Sequence, residues 1–196
     1  MKKYFVLLLF IIPFKALALI EVDITRGNLN PLPIAVSPLS IDKDSKQGFE
    51  KILKKNNIGS EISIVIENNL RISGLFNPLD KDAFLQAPDI ANLKPRFEDW
   101  NLIKAQALIT GKVNFINEKL RVEFRLWDVL AGKEMMALAF TTVPNNWRRV
   151  GHIITDKVYE RLTGEKGYFD TRIIYVAEEG PKTKRVKKLA IMDQDG

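Results

Sequence analysis

The stretch at residues 105–143, AQALITGKVNFINEKLRVEFRLWDVLAGKEMMALAFTTV, holds three extended runs separated by two turns. In its middle run Leu120, Val122, Phe124 and Leu126 alternate with Arg121, Glu123 and Arg125. A period of two puts one set on a core and the other toward solvent, the pattern of a half-buried antiparallel strand. Asn117-Glu118-Lys119 turns the chain before this run, and Ala131-Gly132 turns it after. Residues 105–115 and 134–143 therefore predict the flanking strands of a meander.

Working outward, residues 97–104 predict a short helix carrying Trp100, preceded by a polar loop through Ala87-Pro88 to Pro95. Residues 60–73 set Ile62, Val65, Ile66, Asn69 and Leu70 at helical spacing. Ser60 is placed to cap this helix, and Gly74 to end it in the left-handed region. Residues 40–59 are lysine-rich and predict a loop with at most one helical turn. Residues 34–39 form a short apolar run suited to a buried strand. Before it, Gly27, Asn28, Asn30, Pro31 and Pro33 predict a bend without regular pairing.

On the other side of the meander, a helix starting at Asn145 or Asn146 buries Trp147, Val150, Ile154, Val158 and Leu162, with Gly164 as its stop. The domain is then α/β in the α+β sense, a small mixed sheet flanked by two helices. Residues 171–177 and 187–192 predict two more strands, joined by a charged turn at 178–186. Asp195-Gly196 is a turn dipeptide, so this hairpin opens a separate all-β unit.

The first 18 residues have the parts of a secretion signal: Lys2 and Lys3, an apolar run from Tyr4 to Phe14, and the small-residue site Ala16-Leu17-Ala18. Cleavage is expected between Ala18 and Leu19. The run is too short to span a bilayer. The formal charge of +6 falls to +3 when Lys2, Lys3 and Lys15 leave with the signal, so the mature chain is only mildly basic. Export without any cysteine excludes a disulfide scaffold, and the 46% apolar composition must supply the core. The periplasm fits best as the expected compartment, although the export signal alone would equally suit an extracellular protein.

Just after the signal, Ile20, Val22 and Ile24 alternate with Glu21, Asp23 and Thr25. Cut off from the domain by the proline-rich bend, this segment is suited to adding as a strand to another protein's sheet edge.

Catalytic constellations are wanting. His152 is the single histidine; the absence of cysteine removes Cys-based triads and the absence of a second imidazole removes His-rich zinc sites, which leaves it a structural or partly exposed residue. The carboxylate pairs Glu98/Asp99, Glu178/Glu179 and Asp193/Asp195 are expected to be solvated faces or caps. Asp193-Gln194-Asp195-Gly196 resembles the opening of a calcium loop, but a β-turn suits it better because the remaining ligands are missing. Lys182, Lys184, Arg185, Lys187 and Lys188 form the densest basic cluster, expected to be a solvated hairpin tip rather than a nucleic-acid or anionic-lipid site. Trp100, Trp127 and Trp147 are expected in the core. No catalytic, cofactor or metal residues are assigned. An exported module binding surfaces through residues 182–188, or an exported hydrolase, are the alternatives.

Several separated stretches together resemble the periplasmic TolB proteins of the Tol-Pal envelope system. They are EVDITRG at 21–27, PIAV at 33–36, SGLFNPLD at 73–80, ITGKV at 109–113, the Asp128 turn, RVGH at 149–152, YERLTGEKG at 159–167 and TRIIYV at 171–176. The resemblance implies a signal at 1–18, a partner-binding arm at 19–33, an α/β domain at 34–166, and the start of a β-propeller at 167–196. It also implies a non-enzymatic adaptor between inner-membrane TolA and outer-membrane Pal, supporting outer-membrane integrity and invagination at cell division. Glu21, Val22, Asp23, Ile24, Thr25 and Arg26 would bind the TolA carboxy-terminal domain. No cofactor or nucleic acid is implied, and contact with membranes would be peripheral, through partners.

Overall fold

The computed structural model describes residues 30–195. The arm residues 21–26 and the cleavage site at Ala18 and Leu19 lie outside them.

The strands are β1 (Leu32–Val36), β2 (Ser40–Ile41), β3 (Phe76–Pro78), β4 (Ala107–Ile116), β5 (Lys119–Asp128) and β6 (Lys133–Thr142), with β7 (Arg172–Glu179) and β8 (Val186–Asp193) apart. The helices are α1 (Lys43–Leu53), α2 (Ile58–Ile72), α3 (Pro88–Leu93), α4 (Phe97–Leu102) and α5 (Trp147–Thr163). The main sheet runs in the order β3-β1-β4-β5-β6, with β2 also on β4. β1 is parallel to β3 and β4, whereas β4, β5 and β6 form the expected antiparallel meander.

The alternation in β5 sorts the two faces. Leu120, Val122, Phe124 and Leu126 are buried with Ile34, Val36, Ile109 and Val113 beneath α2 and α5. The opposite face carries Ala35 and Leu108 against Trp100, Ala105 and Val129, with Trp127 partly buried beside them. Helices thus cover both faces where β1 and β4 meet, which is why these strands are apolar on both sides.

Four expectations change. First, residues 43–53 form a full helix rather than a loop. Asp42 accepts from the Ser45 backbone N–H at 2.7 Å, and the Ser45 hydroxyl in turn accepts from the backbone N–H of Phe115 at 2.8 Å. Of the helix's large apolar side chains Phe49 alone is fully buried, edge-on to Phe115, so the segment lacks a broad apolar stripe. Second, α2 begins at Ile58, placing Ser60 inside the helix and Asn57 at its cap position. Third, the strand expected at 34–39 starts earlier and stops at Val36, taking Pro33 into the ladder. Leu32 N and Ile34 O both bond toward β3, whereas the Pro33 carbonyl accepts from Gln106 just ahead of β4. The missing proline N–H therefore falls where no ladder bond is needed. Fourth, the segment at 80–95 holds a 3-10 turn at Lys81–Ala83 and α3, so the described residues contain α1 and α3 besides the three helices expected.

Gly164 ends α5 at a φ of 76°, as its position in the sequence predicts. β7 and β8 pair antiparallel from Arg172↔Asp193 to Glu179↔Val186, so the turn between them is narrower than expected, at 180–185. Among the described residues they form a two-stranded sheet, and no barrel or propeller closes around them.

Candidate functional site

α2 and α5 cross closely because Gly151 has no side chain. A Cβ there would lie 2.8 Å from Val65 Cγ1. This close approach brings Asn69 of α2 against His152 and Thr155 of α5. The Asn69 amide nitrogen donates to His152 Nδ1 at 2.9 Å and to Thr155 Oγ1 at 3.2 Å. An accepting Nδ1 leaves the proton of the neutral ring on Nε2. The Asn69 carbonyl oxygen accepts from Gln194 Nε2 at 3.2 Å, so one buried amide joins both helices to the end of β8.

The residue after Gln194 completes this seam. Asp195 Oδ2 accepts from Arg148 at 2.5 Å, and Oδ1 faces His152 Nε2 across 3.5 Å without a hydrogen bond. His152 is 2% exposed, which agrees with the structural role expected of it. His152, Asp193 and Asp195 present ligand atoms within 4.8 Å of one another, the arrangement of possible metal ligands among the described residues. Their charges weigh against a divalent ion. Arg148 holds Asp195, and Arg172 lies 3.7 Å from Asp193, so both carboxylates already face a guanidinium. The cluster is an ion-paired seam.

The root of β7 is held on the same helix. The Asp156 carboxylate accepts from the backbone N–H groups of Phe169 at 2.6 Å and Asp170 at 3.1 Å. Arg149 grips both oxygens of Asp170, at 3.0 and 3.1 Å, and this pairing raises the pKa of its guanidinium. Tyr168 and Phe169 pack edge-on to Tyr159. Beyond these anchors the ribbon is bare on both faces. Ile174 is 64% and Leu189 76% exposed on one face, and Ile173 and Tyr175 are exposed on the other.

Three of the five basic side chains in the cluster are ion-paired. Glu178 pairs with Lys187 and Arg185, Glu179 pairs with Lys188, and the hydrogen bonds from Lys187 and then Arg185 lower the Glu178 pKa. Asp99 in the first turn of α4 pairs with Arg96 at 2.6 Å, and no side chain caps this helix. Trp100 is buried and donates to Gln86 Oε1 at 2.8 Å, and Trp147 lies in the main core. Trp127 is half-buried with its indole N–H on Thr110. Sequence reading missed Asn69, Arg148 and Gln194 as a unit. Asn69 at a core-facing helical position was the available signal, since a buried amide needs partners.

At the other end of the domain, Asn30 and Pro31 are exposed and Leu32 N donates to the Leu75 carbonyl at 2.9 Å.

A mixed sheet with helices on both faces, followed by a docked two-stranded β-ribbon, defines the class of fold. The chain belongs to the TolB family: residues 20–135 match the model of the TolB amino-terminal domain. It is 84% identical over 194 residues to the Tol-Pal system protein TolB of Pelagibacter ubique (strain HTCC1062), covering 99% of this chain and 44% of that protein. The chain thus spans less than half the length of this curated relative. The crystal structure of TolB from Acinetobacter baumannii is similar over 91% of this chain and 40% of its own, with a TM-score of 0.64 at 20% identity, a likeness of fold.

Proposed function

We propose that this chain acts as a non-enzymatic adaptor of the Tol-Pal system in the periplasm, after removal of residues 1–18. The 84% identity to a Tol-Pal system protein over nearly the whole chain carries this reading. Residues 19–30 form its arm. Glu21 to Arg26 add as a strand to an exposed sheet edge of the TolA carboxy-terminal domain, with Val22 and Ile24 supplying side-chain contacts and the backbone supplying hydrogen bonds. The bare faces of β7–β8 support the second half of the proposal. A two-stranded ribbon is marginal in water by itself, so further strands of a propeller, with Pal as its partner, would cover it. The adaptor then joins inner-membrane TolA to outer-membrane Pal and supports outer-membrane integrity during cell division. That no helix among the described residues is long and apolar enough to cross a membrane suits attachment through partners.

Calorimetric titration of the chain lacking residues 1–18 against the TolA carboxy-terminal domain tests the arm. Deleting residues 19–30 is expected to abolish binding while leaving the thermal unfolding of the α/β domain unchanged. Undiminished affinity in the deletion would refute the assignment.

A further inference from the structure

The β7–β8 ribbon is fastened at one end only. Arg172 lies opposite Asp193, so the start of β7 and the end of β8 are side by side, with the turn at 180–185 far from both. Two attachments meet at the fastened end, and they differ in kind. One is continuous with the chain leaving α5: Asp156 holds the backbone of Phe169 and Asp170, Arg149 grips Asp170, and Tyr168 and Phe169 pack on Tyr159. The other acts through space, and its ribbon side consists of Gln194 and Asp195.

We infer that Gln194 and Asp195 form a releasable latch on the α2–α5 pair, and that residues 167–171 are the hinge about which the ribbon turns when the latch opens. Incomplete pairing of the seam is the first reason. Asn69 is fully engaged, yet His152 Nε2 and Asp195 Oδ1 are buried and face each other without bonding. Buried polar atoms without partners favour any state that lets water reach them. Opening the latch wets both atoms, whereas a shift of about half an ångström toward one another brings them into hydrogen-bond range. The closed seam is therefore incompletely satisfied at the ribbon's end.

The distribution of apolar contact is the second reason. The exposed faces of β7 and β8 contribute little burial against the α/β domain, so polar contacts and not a shared core hold the ribbon in place. The Asp195 charge is central among them. It faces Arg148 and His152, its nearest like charge is Asp193, and Arg172 offsets that charge in turn. A partner engaging the free strands of the ribbon is aimed relative to the α/β domain while the latch is closed, and swings on the hinge when it is open. The inference concerns orientation and stands whether or not the proposed adaptor partners are the ones engaged.

The chain has no cysteine, so a labelled pair introduced by Lys51→Cys on α1 and Lys182→Cys in the ribbon turn is unique. Both positions are exposed. Pulsed dipolar spectroscopy of spin labels at this pair is expected to show one dominant distance in the parent chain. Gln194→Ala combined with Asp195→Asn is expected to widen the distribution at least twofold without changing the circular dichroism or melting of the α/β domain. Arg148→Met, which attacks the latch from the helix side, is expected to widen it likewise. An unchanged distribution in both variants would overturn the latch, and so would one already broad in the parent. Loss of the α/β fold in the double variant would overturn it too, by making these residues part of the core.

Discussion

The closeness of α2 and α5 can be tested by one methyl group. Gly151→Ala places a Cβ 2.8 Å from Val65 Cγ1 and 3.0 Å from Val65 Cβ, where carbon atoms normally rest at about 3.5–4.0 Å. Val65 is 5% exposed in the main core and has little room to withdraw, so the helices must part by several tenths of an ångström. In a free helix the same change would stabilise by about 1 kcal/mol through propensity. Here overpacking costs about 1–3 kcal/mol, and parting the helices also stretches the 2.9 Å contact between Asn69 and His152, at a cost of about 1 kcal/mol. The expected net loss is about 2 kcal/mol, or a melting point lower by roughly 4–8 °C for a domain of this size. Urea denaturation followed by circular dichroism measures it. Val65→Ala by itself is expected to cost about 2 kcal/mol as a cavity. Combined with Gly151→Ala it should cost at least about 1 kcal/mol less than the two losses together, because each change makes room for the other. A stabilised Gly151→Ala chain, or strict additivity in the double variant, would refute the close crossing.

The remaining predictions concern caps, a buried indole and acid stability. Asp42→Ala should destabilise by about 1–2 kcal/mol, because the carboxylate caps α1 through Ser45; Asp42→Asn should restore most of this in the same urea assay. Trp100→Phe should cost about 1–2 kcal/mol, since it removes the indole donor to Gln86 within a well-filled core; a neutral result would remove that bond from the account. Glu123 and Glu67 should act on acid stability with opposite signs. The hydrogen bond from Arg121 lowers the Glu123 pKa below its ordinary 4.5, so its contribution is present above that pH and lost as pH falls through the lowered value. Partial exposure limits it to about 0.5 kcal/mol. Burial raises the Glu67 pKa despite Lys81, so its contribution is present below 4.5 and lost as pH rises through the raised value. Denaturation midpoints from pH 3 to 7 should show Glu123→Gln flattening a rise with pH, and Glu67→Gln removing a fall.

Legibility followed the physical strength of each pattern. β5 was plain because seven residues alternate without exception, and a sheet face under helices enforces that alternation. α5 was equally plain, with five apolar residues at helical spacing and a glycine stop at a positive φ. α1 was missed because capping by Asp42 and the single buried ring of Phe49 secure it, and neither leaves a periodic apolar stripe. Pro33 was misjudged because proline is a defect only where its N–H would meet an acceptor, and that depends on which side of β1 the neighbouring strand has begun.

The sequence by itself determined the meander, the two long helices, the terminal hairpin and the family, all of which rest on local period, turn chemistry or collinear motifs. Tertiary structure alone decided that Asn69, Arg148, His152, Gln194 and Asp195 meet, though as many as 126 positions separate them. No local pattern encodes that meeting, because it follows from Gly151 letting two helices touch and from the ribbon ending where their polar faces join.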